Sequence, residues 1–428
     1  MQEMGNTKTG RRCPTQGHRG KSYWQGLLLF GMALLLLFVG FGAGMTMMWF
    51  SRPHLQRVVG DVTSNVGVGE GGMSREEGVS LLYEIWDILD KEYVDPEALD
   101  DQKMIYSAAS GLVSSLGDHP TMFVDPLSAA IMDEDMQGAF EGIGATVEIV
   151  DGQLVIVRLL PNSPALEADL KAGDVILAVD DKSLEGKTIL EDITLIRGPQ
   201  GTVVRLLVQR QGVDQPFIVP VTRGKVDLPT IEERMLDDQI AYVRLAEFNA
   251  VSYDQIHEAL EELLANQPVG LILDLRGNPG GYLNEAVEIA GEFLPKGTLV
   301  LREKGRDEGS RKYRVGHAGI AQDIPLVVLV NGSSASASEI VSGAIQDHDR
   351  GLLIGEQTFG KGSVQRTHRL KDGSSLRVTI SRWYLPNGQN LDGEGISPDI
   401  EVPLTAEEIA AGEDTQLDRA ISYLLTGE

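Results

Sequence analysis

Residues 324–365 constrain the fold of this chain more than any other stretch. They read I-P-L-V-V-L-V-N-G-S-S-A-S-A-S-E-I-V-S-G-A-I-Q-D-H-D, then R-G-L-L-I-G-E-Q-T-F-G-K-G-S-V-Q. An apolar run is followed by a block of small residues, an amphipathic run, a second apolar run and a lysine between two glycines. Residues 326–330 have the length and β-branched content of a core strand, and residues 338–348 the length and periodicity of a helix. The small-residue block 333–338 therefore lies where a strand gives way to a helix N-terminus. Residues 352–355 can return beside the first strand.

That position suits a nucleophile, because helix-start amides point outward and small neighbours admit a substrate carbonyl. Serine is also a favoured N-cap, so the cluster means capping unless a base accompanies it. His348 lies between Asp347 and Asp349 as if offered for a Ser-His-Asp set. It is three turns down the helix that Ser336 opens, about 18 Å away at 1.5 Å per residue, and cannot reach that serine. Lys361 is the better base, since Gly360 and Gly362 permit a tight backbone there. A serine-lysine pair is an established variant of the nucleophile-base arrangement. The lysine pKa must then fall from about 10.4 toward about 7–8, which burial among apolar residues achieves. Gln365, four residues on, falls on the same side as Lys361 in either a strand or a helix. An uncharged amide there orients the amine without raising its pKa. Residues 355–361 also fit a phosphate-binding loop up to the lysine. Gly362 replaces the Ser/Thr that would hold magnesium, and the segment after it reads as a strand, so nucleotide binding is not expected.

The run S-S-A-S-A-S-E-I, with G-K-G-S-V-Q downstream, resembles the signature of the carboxyl-terminal processing peptidases, also called tail-specific proteases. The resemblance implies a serine-lysine mechanism, with Ser336 as nucleophile, Lys361 as general base and Gln365 positioning the lysine. The 25-residue gap between Ser336 and Lys361 agrees with the family spacing. By composition, Ser333, Ser334 and Ser338 are indistinguishable from Ser336.

Residues 22–51 contain no charged side chain, and the core of the stretch is long enough to span a bilayer as a helix, with Trp24 and Trp49 near its ends. Lys8, Arg11, Arg12, Arg19 and Lys21 precede it, so the N-terminus is expected in the cytoplasm and everything after Arg52 on the extracytoplasmic side. The rival is a cleaved signal peptide, with Gly42-Ala43-Gly44 as the small-residue site, but the apolar run outlasts the usual length of about 7–15 residues. A single-pass signal anchor is expected. Cys13 is the chain's one cysteine and falls on the cytoplasmic side, leaving no disulfide outside. The whole chain carries −26, and without its basic first 21 residues −30, which argues against nucleic acid as a partner.

The remaining chain divides into a linker (51–73), a helical module (74–136), a β-rich domain (137–224), a protease domain (225–404) and a helical tail (405–428), after the basic tail (1–22) and anchor (23–50). In the module, Ser74 and Glu77 form a capping-box pattern, and Val79, Leu82, Ile85, Trp86 and Leu89 recur at helical spacing. A second helix is expected over 102–116. The stripes read as the module's own core or as a dimer seam, and homo-oligomers through such segments are an expectation from the family.

Between Gly138 and Arg223, short alternating runs are separated by turn signals. This part resembles a PDZ domain. F-E-G-I-G at 140–144 matches the carboxylate-binding loop, and S-P-A-L-E-A-D-L-K-A-G-D-V-I the helix and strand after it. Asp169 stands where that family usually has glycine. Consecutive amides at Gly142, Ile143 and Gly144 can cradle a terminal carboxylate while the adjacent strand edge pairs with an extended peptide. Arg197 is placed to contact substrate or the protease domain, or is a surface turn residue.

In the protease domain a strand over 240–245, a helix over 253–264 and a buried strand over 269–275 lead into R-G-N-P-G-G, which a helix over 284–293 follows. Strand, glycine loop and helix leave backbone amides free, as an oxyanion hole requires. The resemblance assigns one donor to Gly281 or its neighbour Gly280 and the other to Ala337. The fold class expected is α+β multidomain, with a transmembrane helix, a small helical module, a PDZ domain and an α/β serine-protease core. The function expected is a membrane-anchored serine endopeptidase acting on protein C-termini. No metal or cofactor is implied, for H-E-x-x-H is absent and the histidines are scattered. Two rivals remain: a catalytically silent PDZ scaffold, and a Ser-His hydrolase using His348 or His317.

Overall fold

The computed structural model describes residues 72–306, 309–405, 408 and 411–428. The expected anchor at 23–50 and its basic flank lie outside the described residues, and among the described residues no helix is long and apolar enough to cross a membrane. The chain falls into two compact units that divide between Leu99 and Asp100.

In the first unit, a helix at Arg75–Glu92 starts from the expected capping box, in which Ser74 N–H donates to Glu77 Oε2 at 2.7 Å and Glu77 N–H to Ser74 Oγ at 3.2 Å. Its apolar stripe makes no core, since no residue of the helix is buried and Val79, Leu82 and Ile85 are exposed. The second expected helix, Asp101–Ser114, belongs to the other unit. There its Tyr106 ring meets Phe123 at 5.3 Å, and the Tyr106 hydroxyl donates to Asp372 at 3.0 Å.

The PDZ-like part is a sheet in the order Ala145–Val150, Gln153–Leu159, Val175–Val179, Val203–Gln209 and Phe217–Thr222, with Lys182–Ser183 beside the third. Alternate residues such as Ile156, Val204, Leu206 and Val208 face one core, which the helix Ile189–Ile196 helps to close. Asp169 sits at φ 56°, so the position does take the left-handed backbone that glycine serves elsewhere. A two-stranded ribbon, Ala139–Gly142 against Gly224–Asp227, carries the chain in and out of this domain.

The protease core is a six-stranded sheet in the order Ile231–Met235, Ile240–Leu245, Gly270–Asp274, Leu326–Val330, Leu352–Gly355 and Ile400–Glu401. The first pair is antiparallel and the rest are parallel. Helices Ser252–Ala265, Leu283–Phe293 and Ala337–Asp347 share one core with alternate residues of the central strands. The tail helix Thr415–Thr426 covers the opposite alternation, through Ile240, Ile272, Val327, Leu329 and Ala420. Covering on both sides explains why Gly270–Asp274 and Leu326–Val330 are buried at every position and read as unbroken apolar runs. A second, antiparallel sheet contains Met122–Val124, Ser375–Tyr384, Leu299–Gly305 and Arg311–Arg314, with Ser363–Arg369 also paired to Ser375–Tyr384. Residue 361 therefore leads from one sheet into the other.

Candidate active site

Ser336 is the N-cap of the helix Ala337–Asp347, at φ 55° and ψ −110°. Non-glycine residues rarely adopt such a backbone, so surrounding bonds must hold it. Its N–H donates to Glu339 Oε2 at 2.8 Å, the Ile340 N–H donates to its carbonyl at 3.0 Å, and the Ala335 N–H donates to the Asn278 carbonyl at 3.0 Å. Burial sets two of the neighbouring serines apart, and the third, Ser333, is exposed and does not line the cavity of Ser336. Ser334 and Ser338 are fully buried and donate their hydroxyls to the carbonyls of Leu275 (2.8 Å) and Asn278 (2.9 Å). Ser336 instead lines a cavity of about 400 Å³, together with Gly281, Lys361, Gln365, Glu247 and Arg377.

Glu339 was not singled out by the sequence, and it organises the site. Its carboxylate is fully buried and accepts four hydrogen bonds. Oε2 takes the N–H groups of Ser336 (2.8 Å) and Lys361 (2.9 Å), while Oε1 takes the Thr358 hydroxyl (2.6 Å) and the Gly360 N–H (2.7 Å). One side chain thus ties the serine backbone to the lysine backbone. The S-x-x-E spacing from Ser336 to Glu339 is a capping-box signal that could have found it.

Lys361 is half-buried, and burial is the leading cause that pushes its amine below the ordinary lysine range. The nearby Arg377 charge pushes the same way and Glu339 opposes both. Among the described residues its amine makes no hydrogen bond, to Ser336 or otherwise. The expected contact with Gln365 is likewise open: the Gln365 amide donates to Ser363 Oγ at 3.0 Å and Thr379 Oγ1 at 3.3 Å. The structure brings Ser336, Lys361 and Gln365 to one cavity without closing the bonds between them. Ligand-free active sites commonly hold such contacts loose.

The glycine loop packs directly on the serine. A Cβ on Gly280 would stand 2.7 Å from Ser336 Cβ and 2.9 Å from the Ala337 nitrogen, and one on Gly281 only 2.2 Å from the Phe248 carbonyl oxygen. The Gly280 N–H already donates to Asn278 Oδ1 at 2.9 Å. Among the described residues the Gly281 and Ala337 amides have no acceptor, which separates the two glycines. Arg276 pins the start of the loop by pairing with Asp274 and with Asp414, the cap of the tail helix, each at 2.7 Å.

In the PDZ-like part, a cavity of about 200 Å³ lies between the free edge of strand Ala145–Val150 and helix Ile189–Ile196, lined by Ile143, Gly144, Ile193 and Arg197. Gly142 is built into the ribbon opposite Gly224. Arg197 stacks over Phe140 at 4.1 Å and pairs with Glu134 (3.0 Å) and Asp135 (2.9 Å) of the helix Pro126–Met136. It is a groove and interdomain residue rather than an exposed turn residue. A second cavity, of about 420 Å³, shares Arg197 and Phe140 with this groove and Glu247 and Pro279 with the active-site cavity.

His348 and His317 do not line the active-site cavity. His348 Nε2 meets the Leu299 carbonyl at 2.8 Å, and His317 lies against Glu288 and Glu292. Among the described residues no cluster of His, Cys, Asp and Glu is arranged to hold a metal ion.

Residues 239–402 match the peptidase family S41, and residues 155–210 match the PDZ domain family. A carboxy-terminal-processing protease of Bartonella bacilliformis is 36% identical over 322 residues, covering 74% of each chain. The carboxyl-terminal-processing protease of a Synechocystis strain is 34% identical over 80% of this chain and 81% of its own. Carboxy-terminal processing protease CtpA of Bacillus subtilis is 34% identical over 71% of this chain and 65% of its own. A solved S41 protease structure from Bacteroides fragilis, 19% identical, covers 80% of this chain and 97% of its own with a TM-score of 0.50, a likeness of fold. The chain therefore belongs to peptidase family S41, as a serine-type peptidase of the carboxy-terminal processing group that carries a PDZ domain.

Proposed function

We propose that this peptidase works by a serine-lysine mechanism on protein C-termini, in a form anchored to the membrane with its catalytic part outside the cytoplasm. The observation that carries the mechanism is the shared cavity of Ser336 and a lysine held below its ordinary pKa by burial, with no histidine in the lining. The neutral Lys361 amine takes the proton of the Ser336 hydroxyl as the oxygen attacks the scissile carbonyl. The oxyanion is received by the amides of Gly281 and Ala337. The ammonium then returns the proton to the leaving amine, giving the acyl-enzyme and a free C-terminal fragment. Water attacks the ester, its proton passes to Lys361, and Ser336 is regenerated. Gln365, which lines the same cavity, positions the Lys361 amine.

The groove lined by Ile143, Gly144 and Arg197 would take the substrate's terminal carboxylate and add its last residues to the open strand edge. The charge-free stretch 22–51 and the basic residues before it support the anchor and its orientation. The exposed stripe of helix Arg75–Glu92 supports self-association through that segment. Labelling with a fluorophosphonate tests the mechanism: the adduct should map to Ser336 and be lost in Ser336→Ala and Lys361→Ala. A label that survives Lys361→Ala would refute it. Protease added outside cells should digest residues 72–428 and spare the segment bearing Cys13, whereas protection of the whole chain would refute the location.

A further inference from the structure

The mechanism above gives Arg377 only an indirect part, its charge helping to keep the Lys361 amine neutral. It lies on the strand Ser375–Tyr384, where its backbone is paired with Met122 on one side and Thr367 on the other. A position held between two neighbouring strands is rigid, as a recognition side chain requires. The side chain lines the active-site cavity with Ser336, Lys361 and Tyr282. Its charge is felt by two other lining residues, opposing protonation of the Lys361 amine and favouring ionisation of the Tyr282 phenol. Its Nε is buried without an acceptor, and among the described residues the guanidinium has no hydrogen-bond or ion-pair partner.

Carboxylates are nevertheless close at hand. Asp133 and Glu247 line the same cavity, but Asp133 pairs with Arg369 at 2.6 Å, and no ion pair joins Arg377 to either. Most buried polar groups are satisfied, and an arginine left open in a reaction cavity has five donors in a fork that fits one carboxylate.

We propose that Arg377 forms a carboxylate-binding subsite within the active-site cavity and so favours substrates that place an anionic group beside the scissile bond. The inference rests on the serine-lysine reading only in that the cavity is where cleavage occurs. The carboxylate can come from an Asp or Glu side chain, or from the terminus of a tail so short that its end reaches the cavity.

Two peptide pairs test it. After the cleaved bond is mapped by mass spectrometry, the first pair differs by Glu or Gln next to that bond and keeps one free C-terminal tail. The second pair ends one or two residues beyond the bond, as free acid or amide. The quantity compared is kcat/KM on its pH-independent plateau, which removes any movement of the lysine titration. Wild type should favour the anionic member of at least one pair by about 10–100-fold, the range of a charge-assisted bond. Arg377→Gln should bring that ratio close to one and Arg377→Lys should keep part of it. The responding pair identifies the source of the carboxylate. Fluorophosphonate labelling of Arg377→Gln verifies that the site is assembled. Ratios equal in wild type and Arg377→Gln would overturn the subsite, including the case in which all four peptides slow together. Turnover surviving Lys361→Ala would instead overturn the serine-lysine reading, and it is scored separately.

Discussion

Replacing Glu339 by glutamine keeps the shape of a fully buried side chain and removes its charge. The carboxylate faces four donors, two on each oxygen. A glutamine offers one oxygen, so two bonds are lost and its NH₂ must point at two donors. Hydrogen bonds to a charged group are worth about 1.5–3 kcal/mol each, so the change costs about 3–6 kcal/mol. If the cost falls on the geometry joining Ser336 to Lys361, kcat/KM drops by about 10²–10⁴-fold. If part falls on folding, the melting temperature drops as well, because the clamp also joins Thr358 and Gly360 to the helix. The pH dependence separates charge from geometry. Glu339 raises the Lys361 pKa, so its neutral replacement lowers that pKa, and the acid limb of kcat/KM moves to lower pH even as the plateau falls. Kinetics on one fluorogenic peptide from about pH 5 to about pH 10, with thermal melts, read both effects over the range where a tuned lysine titrates. A Glu339→Gln enzyme within about threefold of wild type, with an unshifted limb, would refute the clamp, since two lost charged bonds predict far more.

Lys361→Met should abolish turnover by at least about 10³-fold and stabilise the fold at neutral pH, because it relieves the burial of a base whose folded pKa lies below its unfolded value. The sign follows from linkage: the unfolded chain holds the extra proton, so wild type gains on Lys361→Met as pH rises from neutral toward about 10, measured by melts. Gly280→Ala should cost about 1–3 kcal/mol of overpacking, because its Cβ would press on Ser336 and Ala337, and fluorophosphonate labelling should fall with it. Ile193→Arg in the PDZ groove should raise KM at least about tenfold for a peptide with a free C-terminus and leave its C-terminal amide unaffected. Deleting residues 138–223 should change the rate on a short unstructured peptide if this domain gates the active site, and an unchanged rate would argue against gating.

Local pattern disclosed the parts of the site that are local. The strands at Leu326–Val330 and Ile240–Leu245 stand where they are expected, and the nucleophile helix begins within a residue of its expected start. The return of Leu352–Gly355 beside Leu326–Val330 also follows from the run between them. What stayed hidden depends on contacts distant in sequence. Glu339 reads as an ordinary first-turn acid until Thr358 and Gly360 are folded against it. Gln365 has the right spacing to meet Lys361, yet a register shift at Val364/Gln365 sets its amide among Ser363 and Thr379. Helices Arg75–Glu92 and Asp101–Ser114 read as one module because both are amphipathic, but the second is claimed by Phe123 and Asp372, which no local period reveals. Nor does any local pattern show that Asn278 takes the Gly280 amide, a bond made only once the loop is folded.

The most direct test is the structure of the protein with a peptide boronate, whose tetrahedral adduct mimics the attacked carbonyl. Boron should be bonded to Ser336 Oγ, with Lys361 Nζ within about 3.2 Å of that oxygen and a boronate oxygen between the amides of Gly281 and Ala337. An adduct on another residue, or one on Ser336 with the lysine turned away and a histidine in its place, would contradict the account.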